Sequence, residues 1–265
     1  MCGIIGYVGN NNCVPYIIDG LKKLEYRGYD SAGLAVLQNG NLVTVRAVGK
    51  VAELEKATLI ANPKGTTGIG HTRWATHGKP SEENSHPHTD CTGDIVVVHN
   101  GIIENYLTLR AKLEARGHRF KSETDTEVIA HLIEENLLHV RASHDQDRLL
   151  KAVQKTNKEI SGAYAYGVMW ARTPGLLIGV KKQSPMVVGV GKDENFLASD
   201  VPAFLKHTNK VLFLEEGDVA VLHVDGVTVL DKDGKEKKVK PVKISWDQKT
   251  CLLYTSPSPR DATLS

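Results

Sequence analysis

The chain has 265 residues, with 33 basic and 31 acidic side chains and a formal net charge of +2. That length holds one large domain or two small ones and can bury a core without disulfide staples. Hydrophobic content of 41% and charged content of 24% exclude disorder throughout, and the balanced charge leaves no basic footprint for nucleic acid.

No apolar run approaches the ~20 residues of a membrane helix, and the first residues, Met1 to Gly6, carry no basic, long-apolar secretory signal. Cysteines stand at 2, 13, 91 and 251 without a CxxC pair, so free thiols in a reducing cytoplasm are expected. Neither a nucleic acid nor a membrane is an expected partner.

Gly3 to Val8 is short, apolar and β-rich and predicts a strand. Val14, Ile17, Ile18, Leu21 and Leu24 then recur at helical spacing with Pro15 near the start, predicting an amphipathic helix to about Tyr26. Arg27 to Ser31 reads as a loop. Asn39-Gly40 between Leu34–Leu37 and Leu42–Val45 predicts a hairpin, because that pair accepts positive φ.

Thr72 to Asp94 is a long polar stretch rich in His, Pro and Gly, and such loops inside compact domains are usually functional. Ile95–Val98 predicts a buried strand ending in His99-Asn100-Gly101. Glu104–Arg116 reads as a helix stopped by Gly117. Thr124 and Glu127 have capping-box spacing ahead of Val128, Ile129, Leu132 and Ile133, which would put Asp125 in the first turn of a helix.

Strands are then predicted over Ala163–Trp170, Leu176–Val180, Val211–Leu214, Val219–Val224 and Val227–Leu230. Lys232 to Lys243 reads as a solvated linker. The last fifteen residues fit no element and resemble one reading frame of a transposon-end sequencing adapter, so residues 251–265 are expected to be a non-native tail.

Cys2 follows the initiator Met directly. Once Met1 is removed, Cys2 carries a free α-amine with a pKa of about 7.7–8.0, a general base on the same residue as the thiol. A thiol attacking an amide carbonyl forms an oxyanion, which needs preorganised N–H donors. Asn100-Gly101 after a buried strand can supply them. A free amino-acid substrate also needs an Arg for its carboxylate and an acid for its ammonium. Arg73 and Asp125 are candidates that spacing alone does not single out.

Six strings occur in one order: Cys2-Gly3-Ile4-Ile5-Gly6, the segment Leu24 to Gly33 around Tyr26-Arg27-Gly28-Tyr29, Gly70 to Gly78 including His71-Thr72-Arg73-Trp74-Ala75-Thr76-His77, Val97 to Asn105 around Asn100-Gly101, Ser122-Glu123-Thr124-Asp125-Thr126-Glu127, and Leu214 to Asp218. With these the chain resembles the class II glutamine amidotransferases, which are N-terminal-nucleophile hydrolases. Glu25 to Tyr29 and Trp74-Ala75-Thr76 are similar to the hexosamine-forming branch rather than the amidophosphoribosyltransferase branch.

The resemblance implies an α+β fold, a four-layer αββα sandwich of the N-terminal nucleophile hydrolase type, over residues 2–240. Residues 241–250 would begin a linker to a sugar-isomerase module outside this chain. By the same resemblance Cys2 is the nucleophile, and Asn100 and Gly101 form the oxyanion hole. Arg27 and Gly28 help hold the N-terminus. Arg73 takes the carboxylate of L-glutamine and Asp125 its ammonium. Trp74, Thr76 and His77 lie in a loop closing over the substrate.

Glutamine would give a γ-glutamyl thioester and ammonia, then glutamate, without a cofactor. In the complete enzyme the ammonia would serve synthesis of glucosamine 6-phosphate from fructose 6-phosphate, and that enzyme would be a homodimer.

Other readings remain. The chain could be the glutaminase domain of another class II amidotransferase, or an inactive truncated interaction domain. Gly65 to Gly70 is Gly-rich but fits no phosphate-loop pattern. His71, His77, His86, His88, Cys91 and His99 cluster in sequence, but His-x-His followed by Cys three residues on lacks the paired spacing of a structural zinc site, so no metal is expected.

Overall fold

In the computed structural model, residues 2–74 and 78–245 are described. The expectations for Thr76, His77 and the 251–265 tail lie outside them.

The opening apolar run forms β1 (Gly3–Gly9), whose seven residues are all buried. Helix α1 (Cys13–Leu24) follows, capped by Asn12, whose side chain accepts from the Val14 N–H. Of the predicted stripe, Ile17, Ile18, Leu21 and Leu24 are buried and Val14 is half-buried. The helix stops at Leu24, and Glu25–Arg27 continue as one 3-10 turn rather than α-helix.

The predicted hairpin is β2 (Ser31–Gln38) and β3 (Asn41–Val48). Asn39 and Gly40 both have positive φ, 51° and 79°, as a two-residue turn matching strand twist requires. Then come α2 (Val51–Ala61), which the sequence reading did not place, and β4 (Thr67–Arg73).

Among its described residues the polar stretch holds the end of β4 and the short β5 (His88–Thr89). The strand expected over Ile95–Val98 runs on as β6 (Ile95–Ile103). Helix α3 (Tyr106–Glu114) ends as predicted ahead of Gly117, which has φ 95°.

The capping box is not formed. Thr126 precedes α4 (Glu127–His139) with helical angles and no side-chain cap. Glu127 instead accepts from the N–H groups of Lys121 and Ser122 at 2.8 and 2.7 Å. Asp125 therefore lies ahead of the helix, and its carboxylate accepts from Ile103 N–H at 2.7 Å.

Helix α5 (Asp145–Glu159) leads into β7 (Gly162–Trp170), β8 (Leu177–Lys182), β9 (Val187–Val190), β10 (Glu194–Ala198), β11 (Lys210–Phe213), β12 (Val219–Leu222) and β13 (Val227–Leu230). The Lys-rich stretch is not wholly solvated linker. It holds β14 (Glu236–Lys237) and β15 (Val242–Lys243), and Lys237 Nζ donates to Asp218 and Glu215 at 2.9 and 2.7 Å. Ile244, next to β15, is buried.

The strands form two antiparallel sheets. The first runs β15-β11-β9-β10-β1-β4-β2-β3 and the second β14-β13-β12-β8-β7-β6-β5. Each sheet is apolar on both faces, so each needs two covers. Ile17, Leu21, Leu34, Val51, Leu54 and Phe196 seal α1 and α2 against the outer face of the first sheet. Ile4, Ile69, Val96, Val98, Leu177 and Leu197 fill the gap between sheets. Leu113, Ile129, Ile133, Leu149, Val153 and Tyr166 seal α3, α4 and α5 over the second. The result is the four-layer αββα sandwich.

That topology positions a site. Antiparallel pairing of Gly3 with Thr72 brings the start of β1 beside the end of β4. The last part of β6 lies in the facing sheet, and the segment before α4 is tied to it through Asp125.

Candidate active site

Cys2 sits at the mouth of β1, partly buried. Trp74 N–H points at its Sγ from 3.2 Å, and its backbone carbonyl accepts from Arg27 Nε at 2.9 Å and from Asn100 Nδ2 at 3.2 Å. Burial pushes the Cys2 thiol up, and the Trp74 N–H and the Arg73 charge offset only part of it. A thiol so raised needs a base before it can attack.

Cys2, Arg27, Arg73, Trp74, Asn100, Gly101 and Asp125 line one cavity of about 340 Å³. This is the small end of the roughly 300–1,000 Å³ typical of ligand pockets. Cys2, Arg73, Asn100 and Asp125 come from four separate parts of the chain: the start of β1, the end of β4, the end of β6 and the segment before α4. Gly28 lies just behind. Its φ is 129°, and a Cβ there would stand 2.6 Å from the Trp74 ring, so only glycine lets that indole settle.

Arg73 is buried and held by the Gly78 carbonyl at 3.0 Å, with Asp30 at 3.9 Å. Asp125 is buried as well, with Oδ2 on Ile103 N–H. Gly101 has φ 117°, and a Cβ would lie 2.0 Å from the Ala163 carbonyl. Trp74 is exposed, with 56% of its surface accessible, and Gly101 is exposed as well.

Two parts of the site went unread in the sequence. Ser184 and Pro185 line the cavity from the β8–β9 connection. His71, treated there only as a metal candidate, is fully buried and reaches Asn100. Its Nε2 lies 2.9 Å from the His99 carbonyl and 3.0 Å from Asn100 Oδ1. A carbonyl on that side requires an N–H on Nε2, so the Asn100 oxygen faces His71 and its NH2 faces Cys2. Burial holds His71 down to about 3, in the neutral state this role needs.

His86 and His88 are buried beside it, His86 lying 3.1 Å from His71. Burial lowers both, His88 to about 3. Cys91 does not join these rings; it contacts His118 and His131 instead.

Residues 71–206 match the family described as glutamine amidotransferase domain, about half of the chain, and the chain belongs to that family. Among curated relatives, the glutamine–fructose-6-phosphate aminotransferase (isomerizing) of Aquifex aeolicus is 50% identical over 247 residues and that of Methanosarcina mazei 51% over 253. Each match covers 93% of this chain but only 40% of the relative. The glutamine phosphoribosylpyrophosphate amidotransferase from B. subtilis is a solved structure with similar architecture. It has a TM-score of 0.72 and 26% identity, over 87% of this chain and 49% of that one.

Proposed function

We propose that the chain is the glutaminase part of a glutamine–fructose-6-phosphate aminotransferase, with Cys2 as an N-terminal nucleophile. The observation that carries this is the convergence of Cys2, Arg73, Asn100 and Asp125 from four parts of the chain on one cavity. The match to only 40% of the curated relative's length supports a partner module that receives the ammonia.

In this reading Arg73 takes the α-carboxylate of L-glutamine and Asp125 its ammonium, which aims the amide at Cys2. The α-amine, freed by loss of Met1, takes the thiol proton. The thiolate attacks the amide carbon. Asn100 Nδ2 has two N–H donors; one holds the Cys2 carbonyl, and the second, with the Gly101 N–H, receives the oxyanion.

Collapse breaks the C–N bond. Ammonia leaves with the proton from the α-ammonium, and a γ-glutamyl thioester remains. Water, deprotonated by the same amine, attacks the thioester; glutamate departs and the thiol is restored. Trp74, which borders the cavity, would cover bound glutamine, and Arg27 and Gly28 steady the N-terminus; the same covering role expected of Thr76 and His77 lies outside the described residues.

The ammonia would pass to a sugar-isomerase module beyond residue 250, for glucosamine 6-phosphate synthesis from fructose 6-phosphate. The domain in this reading spans residues 2–244 rather than the expected 2–240, because β15 pairs with β11 in the first sheet and Ile244 is buried in its core. A diazoketone analogue of glutamine tests the reading. Intact mass should show one adduct, mapped to Cys2 and blocked by excess glutamine. Labelling spread over Cys13 and Cys91 would refute a dedicated nucleophile.

A further inference from the structure

A second group of chemistry-bearing side chains lies outside the Cys2 cavity. Cys91 comes from the turn between β5 and β6, His118 from the loop after α3, and His131 and Glu134 from one face of α4 at i, i+3 spacing. We propose that Cys91, His118, His131 and Glu134 bind one zinc ion in a closed tetrahedral site that ties these three segments together.

The four donor atoms all lie within 4.8 Å of one another. Cys91 Sγ is 3.5 Å from His118 Nδ1 and 3.4 Å from His131 Nδ1. The two Nδ1 atoms are 3.3 Å apart. Glu134 Oε2 lies 3.0 Å from one and 3.4 Å from the other. Zinc bonds of about 2.0–2.3 Å at tetrahedral angles put donor atoms roughly 3.3–3.8 Å apart. A hydrogen bond joins two atoms; here four converge on one point.

The outer contacts agree. A zinc-bound imidazole usually presents its other nitrogen to a carboxylate, which fixes the ring. His118 Nε2 lies 3.3 Å from Glu135, and His131 Nε2 lies 3.6 Å from Glu127. Phe120 packs on the His131 ring at 4.3 Å. Cys91 is exposed, which gives the ion an entry path.

On binding, the Cys91 thiol loses its proton to water. The thiolate and the Glu134 carboxylate then match the ion's two charges, and both imidazoles bind neutral. With four protein donors no position stays open for water, so the site is structural. Its reach extends inward through Glu127, which faces His131 and also holds the N–H groups of Lys121 and Ser122, just ahead of Asp125.

Imidazole suits several metals, but a tetrahedron of one thiolate, two imidazoles and one carboxylate draws on the three ligand types that zinc takes. The chain, stripped with chelator, is titrated with zinc chloride and separately with cobalt(II) chloride. One equivalent should bind. Cobalt should give the visible bands of a tetrahedral centre and a near-ultraviolet thiolate-to-metal band, and zinc should raise Tm.

Cys91→Ser should remove the thiolate band and weaken zinc binding at least ~100-fold, in line with the losses seen on removing a ligand's support. Glu134→Gln should weaken binding with the thiolate band kept, and Cys2→Ala should leave the spectrum unchanged. The wild-type spectrum alone suffices if a variant misfolds. Absence of a tetrahedral thiolate spectrum in the wild-type chain, or its persistence in Cys91→Ser, would overturn the site.

Discussion

His71 decides which way Asn100 faces, and so whether an N–H or a carbonyl looks toward Cys2. Replacing it with Leu should lower kcat for glutamine hydrolysis about 10- to 100-fold with little change in KM. The oxyanion donor would be misplaced while the substrate's handles stay, and losing one such donor costs about 10²–10³ in kcat. His71→Gln, whose amide N–H can stand where Nε2 stands, should recover most of the rate.

Asp125→Asn keeps an oxygen for Ile103 N–H but loses the charge. It should raise KM about tenfold or more, since bonds to charged groups contribute about 1.5–3 kcal/mol. Steady-state kinetics separate the two cases. Cys2, Arg73, Asn100 and Asp125 were legible because each sits in a recognisable string. The role of His71 was not, because it depends on which carbonyl its ring meets across two sheets.

The strands and helices that bear the site are held from behind. Leu21 on α1 is fully buried against the outer face of the sheet containing β1. Leu21→Ala should cost about 2–5 kcal/mol, read by denaturant unfolding, by removing buried volume that the layer has no way to refill.

Element boundaries were legible where periodicity and punctuation agreed, as at β1, α1, the Asn39-Gly40 hairpin and the stop at Gly117. They failed where they conflicted. In α2 only Val51, Leu54 and Thr58 are buried while Leu59 and Ile60 are exposed, so its apolar residues do not trace the packed face. In α5 the buried Leu149, Ala152, Val153 and Thr156 have clear helical spacing but sit in a strongly polar segment. The capping box failed because Glu127 found two N–H groups in the incoming loop instead of the one at Thr124.

For the molecule as a whole, buried neutral histidines set an acid limit. His71 and His88 are held down to about 3 by burial, against about 6.5 in an unfolded chain. Their folded pKa values are depressed, so the unfolded state binds more protons below pH 6.5. Their contribution is complete above that pH and drains away as pH falls toward 3. The loss reaches up to about 1.4 kcal/mol per pH unit for each histidine. Urea midpoints measured from pH 7 to 4 should fall accordingly, and His88→Gln should flatten the slope.

The four-layer arrangement was legible through family resemblance rather than periodicity, because periodicity gives strands but not which sheet each one joins.

The central claim is that Cys2 hydrolyses glutamine with its own amine as base. It is tested most directly by glutamate release from L-glutamine by the purified chain, with Cys2→Ala alongside and intact mass confirming loss of Met1. Release is expected from the processed chain, none from Cys2→Ala, and kcat/KM should fall about tenfold per unit below the amine's pKa. Equal release by Cys2→Ala, or none from folded and processed chain, would contradict it.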